Sequence, residues 1–158
     1  MAADLPHWKT SLLETPFFGG LSDASLDLLS SKLVERRFQS GETVVREGEP
    51  GRSMFIVHSG TLTVSMRVES RSVCLSELAA GDFFGEMTLI NMQDRSATVE
   101  AGSPAVLYEL SARDLYAYYK ADVHAYVLIL QNMNRELCRR LRHADRHIAA
   151  LELGRQGG

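Results

Sequence analysis

Between Gly41 and Leu110 the chain is punctuated by glycine, and those at positions 41, 48, 51, 60, 81 and 102 separate short apolar runs, a pattern that constrains the fold more than any other feature. The intervening runs are short and rich in β-branched residues: Thr43 to Arg46, Ser53 to His58, Thr61 to Val68, Ser72 to Leu78, Ser96 to Glu100 and Val106 to Leu110. Such runs read as strands and the glycines as turns. Parallel strands need crossover connections of a dozen or more residues, usually helical, and this region has no room for them. The pattern therefore predicts an antiparallel roll or barrel.

Helical periodicity returns on both sides. Ser22 is placed to cap a helix starting at Asp23, with Leu21 and Leu26 as a hydrophobic staple and Leu29 and Leu33 continuing the stripe. Ser111 repeats the device, with Asp114 completing a capping box and Leu110 and Leu115 the staple. From about Asp122 a long helix follows. Val123, Val127, Leu130, Asn134, Leu137, Leu141, Ala144, Ile148 and Leu151 recur at alternating steps of four and three, a heptad seam with Asn134 inside it. A second apolar row, Tyr126, Ile129, Met133 and Cys138, lies to one side. One helix cannot bury both rows, so one is expected on the roll and the other on a partner's helix, giving a two-fold homodimer. The dimer seam is assigned to Val127, Leu130, Asn134, Leu137, Leu141 and Ile148. The tail from Gly154 to Gly158 is expected to fray.

At 158 residues the chain is long enough for one cored domain with a helical appendage. A formal charge of −3 gives no general attraction for nucleic acid. Cys74 and Cys138 lack the paired spacing of a metal or redox motif, and no stretch approaches about 18 apolar residues. A cytoplasmic protein without membrane span or direct nucleic-acid contact is expected. His143 and His147, four apart, lack a third ligand, and no metal is expected there. The arginines at 135, 139, 140, 142 and 146 read as ordinary surface charge, and Phe83 as core packing.

Residues 83–101, FFGEMTLINMQDRSATVEA, carry the chemistry. A short helix starting near Gly85 would direct unpaired backbone N–H groups outward, and glycine there lets an anion approach the chain. Arg95 offers a planar fork for two phosphate oxygens and Ser96 a hydroxyl donor. Glu86 would repel an anion unless it accepts a hydrogen bond from a neighbouring hydroxyl, such as a ribose 2′-OH. Sugar and phosphate together imply a nucleotide.

This segment resembles the phosphate-binding cassette of cyclic-nucleotide-binding domains, as found in the bacterial cAMP receptor protein and in the regulatory subunits of cAMP-dependent kinases. The run from Val44 through Arg46-Glu47-Gly48-Glu49-Pro50-Gly51-Arg52 to Gly60 resembles the family's second signature in glycine placement and in its apolar stretch. The resemblance implies an α+β fold: an antiparallel β-roll, jelly-roll-like (a double-stranded β-helix), flanked by an N-terminal helical segment and two C-terminal helices, the last one long. Its expected divisions are residues 1–34 for the helical segment, 35–110 for the roll with the cassette at 83–101, and 111–158 for lid and dimer helices. It also implies that Glu86 binds the ribose 2′-OH and Arg95 the cyclic phosphate, with Phe84, Gly85, Met87, Ser96 and Ala97 completing the site. A base pocket is assigned to Leu62, Val64, Val73 and Leu75.

The ligand is then cAMP or cGMP, with no further cofactor and no catalysis. Ser96 after the arginine leans toward cAMP, since threonine there is typical of cGMP-preferring members. Base selectivity stays open, because Ala144 and Asp145 replace the hydroxyl pair that touches adenine in the bacterial receptor. Two departures from the family pattern stand out: Thr88, where a β-branched residue would crowd the cassette helix, and Asp94, which puts a negative charge beside the arginine. They support the alternative of a degenerate roll acting as a dimeric protein-interaction scaffold. A metalloenzyme of the cupin type ranks last, since only His58 falls on an expected strand. A stand-alone sensor with an unknown downstream protein partner, or a piece of a longer regulator, is expected to signal as its helices from Ser111 onward swing over the base.

Overall fold

The structure, a computed structural model, describes residue 12 and residues 14–156. A 3₁₀ turn at Pro16–Phe18 precedes helix α1 (Asp23–Ser30). Eight strands follow: β1 (Val34–Phe38), β2 (Thr43–Val45), β3 (Ser53–Ser59), β4 (Leu62–Val68), β5 (Arg71–Leu78), β6 (Phe83–Phe84), then, after helix α2 (Glu86–Asn91), β7 (Thr98–Ala101) and β8 (Ala105–Ser111). Helices α3 (Ala112–Ala121) and α4 (Val123–Gln156) end the chain. The strands form two antiparallel four-stranded sheets, ordered β1-β8-β3-β6 and β2-β7-β4-β5, a β-roll rather than a closed barrel.

The central strands alternate between two cores. On β3, Met54 and Ile56 face the helices while Phe55 and Val57 face the inside of the roll. On β8, Tyr108 and Leu110 join the helical side and Leu107 the inner side. Both faces are covered, which explains the unbroken apolar run from Met54 to Val57 where a half-exposed strand would alternate. Phe17, Leu29, Tyr118, Ile129 and Met133 fill the helical core. This places the base of α4 firmly against the roll.

The two cap expectations hold. Ser22 accepts from the Ser25 N–H at 3.2 Å and Ser111 from the Asp114 N–H at 3.0 Å. Two strands escaped the sequence. β1 follows the end of α1 with the residues VERRF, exposed along four of its five positions, so it has no hydrophobic period; it is an edge strand whose Arg36 pairs with Glu109 of β8 at 2.7 Å. β6 has two residues, too few to show a period, and sends Phe83 and Phe84 to opposite cores. The strand expected at Ser96 begins instead at Thr98, which leaves Ser96 and Ala97 outside the ladder.

Helix α4 spans 34 residues, about 51 Å at 1.5 Å per residue. Asp122 caps it, accepting from the Ala125 N–H at 3.0 Å and from the Ser25 hydroxyl at 2.6 Å, which ties it to α1. Of the second apolar row, Ile129 and Met133 pack on the roll, whereas Cys138 is exposed because it lies beyond the last helical-core contact. Along the seam row, Leu130 and Leu137 are half-buried, Leu130 against the chain's own core, while Val127, Asn134, Leu141 and Ile148 are exposed. The core polar residue is Asn132, which donates to the carbonyls of Phe17 and Gly19 at 3.0 and 2.9 Å. The helix runs unbroken through Gly154 to Gln156, and residues 157–158 lie outside the described part, as do residues 1–11 and 13 of the expected N-terminal helical segment. Among the described residues no helix is long and apolar enough to cross a membrane.

Candidate ligand site between roll and long helix

A cavity of about 620 Å³ lies between the roll and α4. Phe84, Gly85, Glu86, Met87, Arg95, Ser96 and Ala97 all line it, so the residues picked from the cassette converge on one space. The floor is Val45, Val64, Leu78 and Val99, and the far wall is helical: Glu136, Arg139, Arg140, His143, Ala144, His147 and Ile148. Of the expected base pocket, Val64 and Leu75 line the cavity. Leu62 is wholly buried in the core, and Val73 is 42% exposed, neither of them on the lining.

Arg95 is 8% exposed, and its guanidinium is held by the protein backbone. Nη1 donates to the Ser53 carbonyl at 2.7 Å and to the Thr88 hydroxyl at 3.3 Å, and Nη2 donates to Ser53 Oγ at 3.3 Å. The main chain is clamped too: Gly48 N–H donates to the Arg95 carbonyl and Arg95 N–H to the Glu49 carbonyl, each at 2.8 Å. None of the ion pairs among the described residues includes Arg95. Burial pulls its pKa below the ordinary guanidinium value, with Glu109 opposing. A buried cation without a contacting carboxylate is costly, and an anion entering the cavity would relieve it.

Gly85 caps α2 in the left-handed region at φ 83°. A side chain there would meet Arg95 Nη1 at 2.6 Å and the Ser53 carbonyl at 3.0 Å, so this glycine is what lets the cassette lie against the arginine. Thr88 does not crowd the helix. Its hydroxyl donates to the Gly85 carbonyl at 2.7 Å and accepts from Arg95, making it a positioning group for the guanidinium. Asp94 is exposed, where solvent screens its charge.

Glu86 is 3% exposed. Its Oε1 accepts from Arg140 Nη1 at 3.3 Å, while Oε2 is buried with no hydrogen-bond partner. Burial raises its pKa above the ordinary carboxylate value despite the opposing Arg140. Arg140 overturns the reading of the basic run as plain surface charge. It also donates from Nε to Glu136 at 2.9 Å and from Nη2 to the Phe83 carbonyl, and lies over the Phe83 ring at 5.0 Å. The clue available in the sequence was its spacing of four from Glu136, but a contact 54 residues away, to Glu86, leaves no local pattern. Among the described residues no group of three or more His, Cys, Asp and Glu could hold a metal ion.

The cavity thus brings together a buried cation, a glycine-capped turn and a buried acid with one unpartnered oxygen, groups whose chemistry suits an anion that also carries a hydroxyl. The cyclic nucleotide-binding domain family model matches residues 35–122, and the chain belongs to that family of regulatory ligand-binding domains. Among curated proteins, the cyclic AMP receptor protein of Thermus thermophilus is 30% identical over 132 residues, 83% of this chain and 59% of that protein. Glutaminase 1 of Bradyrhizobium diazoefficiens is 33% identical over 135 residues, 85% of this chain but 21% of that protein. Among solved structures, the Thermus thermophilus catabolite activator protein superposes with a TM-score of 0.76 at 29% identity, covering 87% of this chain and 63% of that one. The chain thus spans less than two thirds of the curated relatives it matches.

Proposed function

We propose that this chain is a sensor for cAMP whose occupancy is passed to the long C-terminal helix. One observation carries the proposal: Arg95, a buried, backbone-anchored cation, lines the same cavity as Glu86, a buried acid whose Oε2 has no hydrogen-bond partner. The cyclic phosphate sits on Arg95, Ser96, Ala97 and the start of α2, and the ribose 2′-OH donates to Glu86. The name of the Thermus receptor protein supports cAMP as the ligand. No bond is made or broken; the residues bind and report.

Glu86 supplies the link to α4. It accepts a hydrogen bond from Arg140, so a sugar hydroxyl arriving at the same carboxylate changes the contacts that fix the helix. The signal is a population shift between helix positions. Val127 and Leu141, exposed along one row, support a homodimer through α4, whereas Ile148 of the same row lines the cavity.

Calorimetric titration with cAMP and cGMP tests the proposal. Binding is expected for the native chain, with a loss of a hundredfold or more in Arg95→Ala, on the order of the contribution of paired charge-assisted bonds. No heat from either nucleotide would favour the scaffold alternative.

A further inference from the structure

One residue lining the cavity carries chemistry that binding a nucleotide does not use: the thioether of Met87. Among the described methionines, Met54 and Met133 are buried and Met66 is half-buried, which shields their sulfurs from solvent. Met92 is 92% exposed but does not line the cavity. Met87 alone of these combines both properties, lying 46% exposed on the first turn of α2 and on the cavity wall. Its Sδ stands 4.0 Å from Ser96 Oγ, across the cassette from helix to loop. An oxidisable atom is thereby set against a hydroxyl that the site reading gives to the phosphate.

We propose that Met87 is a modification site: oxidised by a hydroperoxide, its sulfoxide takes the Ser96 hydroxyl and lowers nucleotide affinity. This rests on the cavity being a cyclic-nucleotide site. In the oxidation a sulfur lone pair attacks the terminal oxygen of the hydroperoxide, so that an S–O bond forms and the O–O bond breaks. The sulfur gives up two electrons. The leaving oxygen takes the hydroperoxide's proton and departs as water or an alcohol. A thioether sulfur is a weak acceptor, whereas the sulfoxide makes the same side chain polar and puts an acceptor oxygen on it. Added on the side of Ser96, that oxygen comes within reach of the hydroxyl 4.0 Å from the sulfur. Ser96 is exposed and lies outside the β7 ladder, which begins at Thr98, so its hydroxyl can turn to the new acceptor. A serine hydroxyl has a single hydrogen to donate. Once given to the sulfoxide, it is withheld from a phosphate oxygen.

The test treats the full chain with hydrogen peroxide, maps each methionine by peptide mass, and titrates cAMP and cGMP calorimetrically before and after. Thiols are re-reduced with dithiothreitol before each titration, so that oxidation of Cys74 and Cys138 does not enter the comparison. Met87 and Met92 should each gain one oxygen, and affinity should fall by about tenfold, the loss of one hydrogen bond to a charged group. The two methionine sulfoxide reductases, one for each epimer, should together restore it. The ratio of untreated to treated affinity should drop to about one in Met87→Leu and in Ser96→Ala, and stay near tenfold in Met92→Leu. Saturating cAMP should slow the conversion of Met87 and leave that of Met92 unchanged. Unaltered affinity with Met87 fully converted, a loss that persists in Met87→Leu, or Met87 left intact while Met92 is converted each overturns this inference and leaves the site reading standing. Untreated protein that binds neither nucleotide overturns both.

Discussion

Gly51 gives the sharpest handle on how the arginine is held. Its φ lies outside the left-handed region, so alanine there strains no backbone. Its Cβ would nevertheless fall 2.6 Å from Arg95 Cζ and 2.8 Å from Cδ, closer than real contacts allow. The guanidinium must then move, and it cannot move without weakening the 2.7 Å bond from Nη1 to the Ser53 carbonyl. Hydrogen bonds from charged donors contribute about 1.5–3 kcal/mol, so Gly51→Ala should cost about 2 kcal/mol of stability and at least about tenfold in nucleotide affinity. Urea unfolding of the native chain, Gly51→Ala, Arg95→Ala and the double variant closes a mutant cycle. With Arg95 truncated, the alanine has nothing to displace and its cost should fall below about 0.5 kcal/mol. An equal cost in both backgrounds would refute this reasoning. Gly41→Ala is the contrast: φ is 86° with nothing within 4 Å of the new Cβ, so its cost, about 1–2 kcal/mol, is one of backbone alone and binding should not change.

Other perturbations probe the surroundings. Thr88→Val keeps the shape but removes the hydroxyl that steadies Arg95; nucleotide affinity should fall about three- to tenfold by calorimetry, with stability changed by less than about 1 kcal/mol. Burial holds the Glu86 carboxyl above its ordinary value of 4.5, so its contribution to stability is complete below that value and lost as pH rises through the higher folded-state pKa. Glu86→Gln should flatten the stability profile measured by denaturant unfolding in that window, and an unchanged profile would count against the burial argument. Tyr118 is fully buried, and burial pushes its phenol up to about 12, so stability is intact below the ordinary value of 10 and is lost as pH rises through about 12. Tyr118→Phe loses the 3.1 Å bond to the Ser25 carbonyl, about 1 kcal/mol at pH 7, and should remove the Tyr118 share of that alkaline loss.

Features with a local cause were legible in the sequence. The caps at Ser22 and Ser111 need two residues three apart, and the run from Met54 to Val57 needs a strand covered on both faces. The cassette was legible because Gly85, Glu86 and Arg95 sit on one short stretch whose fold brings them to one cavity. What escaped had no local signature. β1 is an edge strand of mostly charged residues that exists because β8 pairs with it. Arg140 belongs to the site because α4 crosses the roll where Glu86 is buried, and Thr88 is a positioning group because Arg95 reaches back seven residues to it. Asn132 was passed over for Asn134, since periodicity cannot say which turn of a long helix meets the carbonyls of Phe17 and Gly19.

A crystal structure of the chain with cAMP examines the heart of the proposal most directly. Phosphate oxygens within hydrogen-bond distance of the Arg95 guanidinium and Ser96, with the ribose 2′-OH on the previously unpartnered Oε2 of Glu86, is the predicted result. A nucleotide bound elsewhere, with Arg95 still engaged by Ser53 and Thr88 alone and Glu86 Oε2 still without a partner, would contradict it.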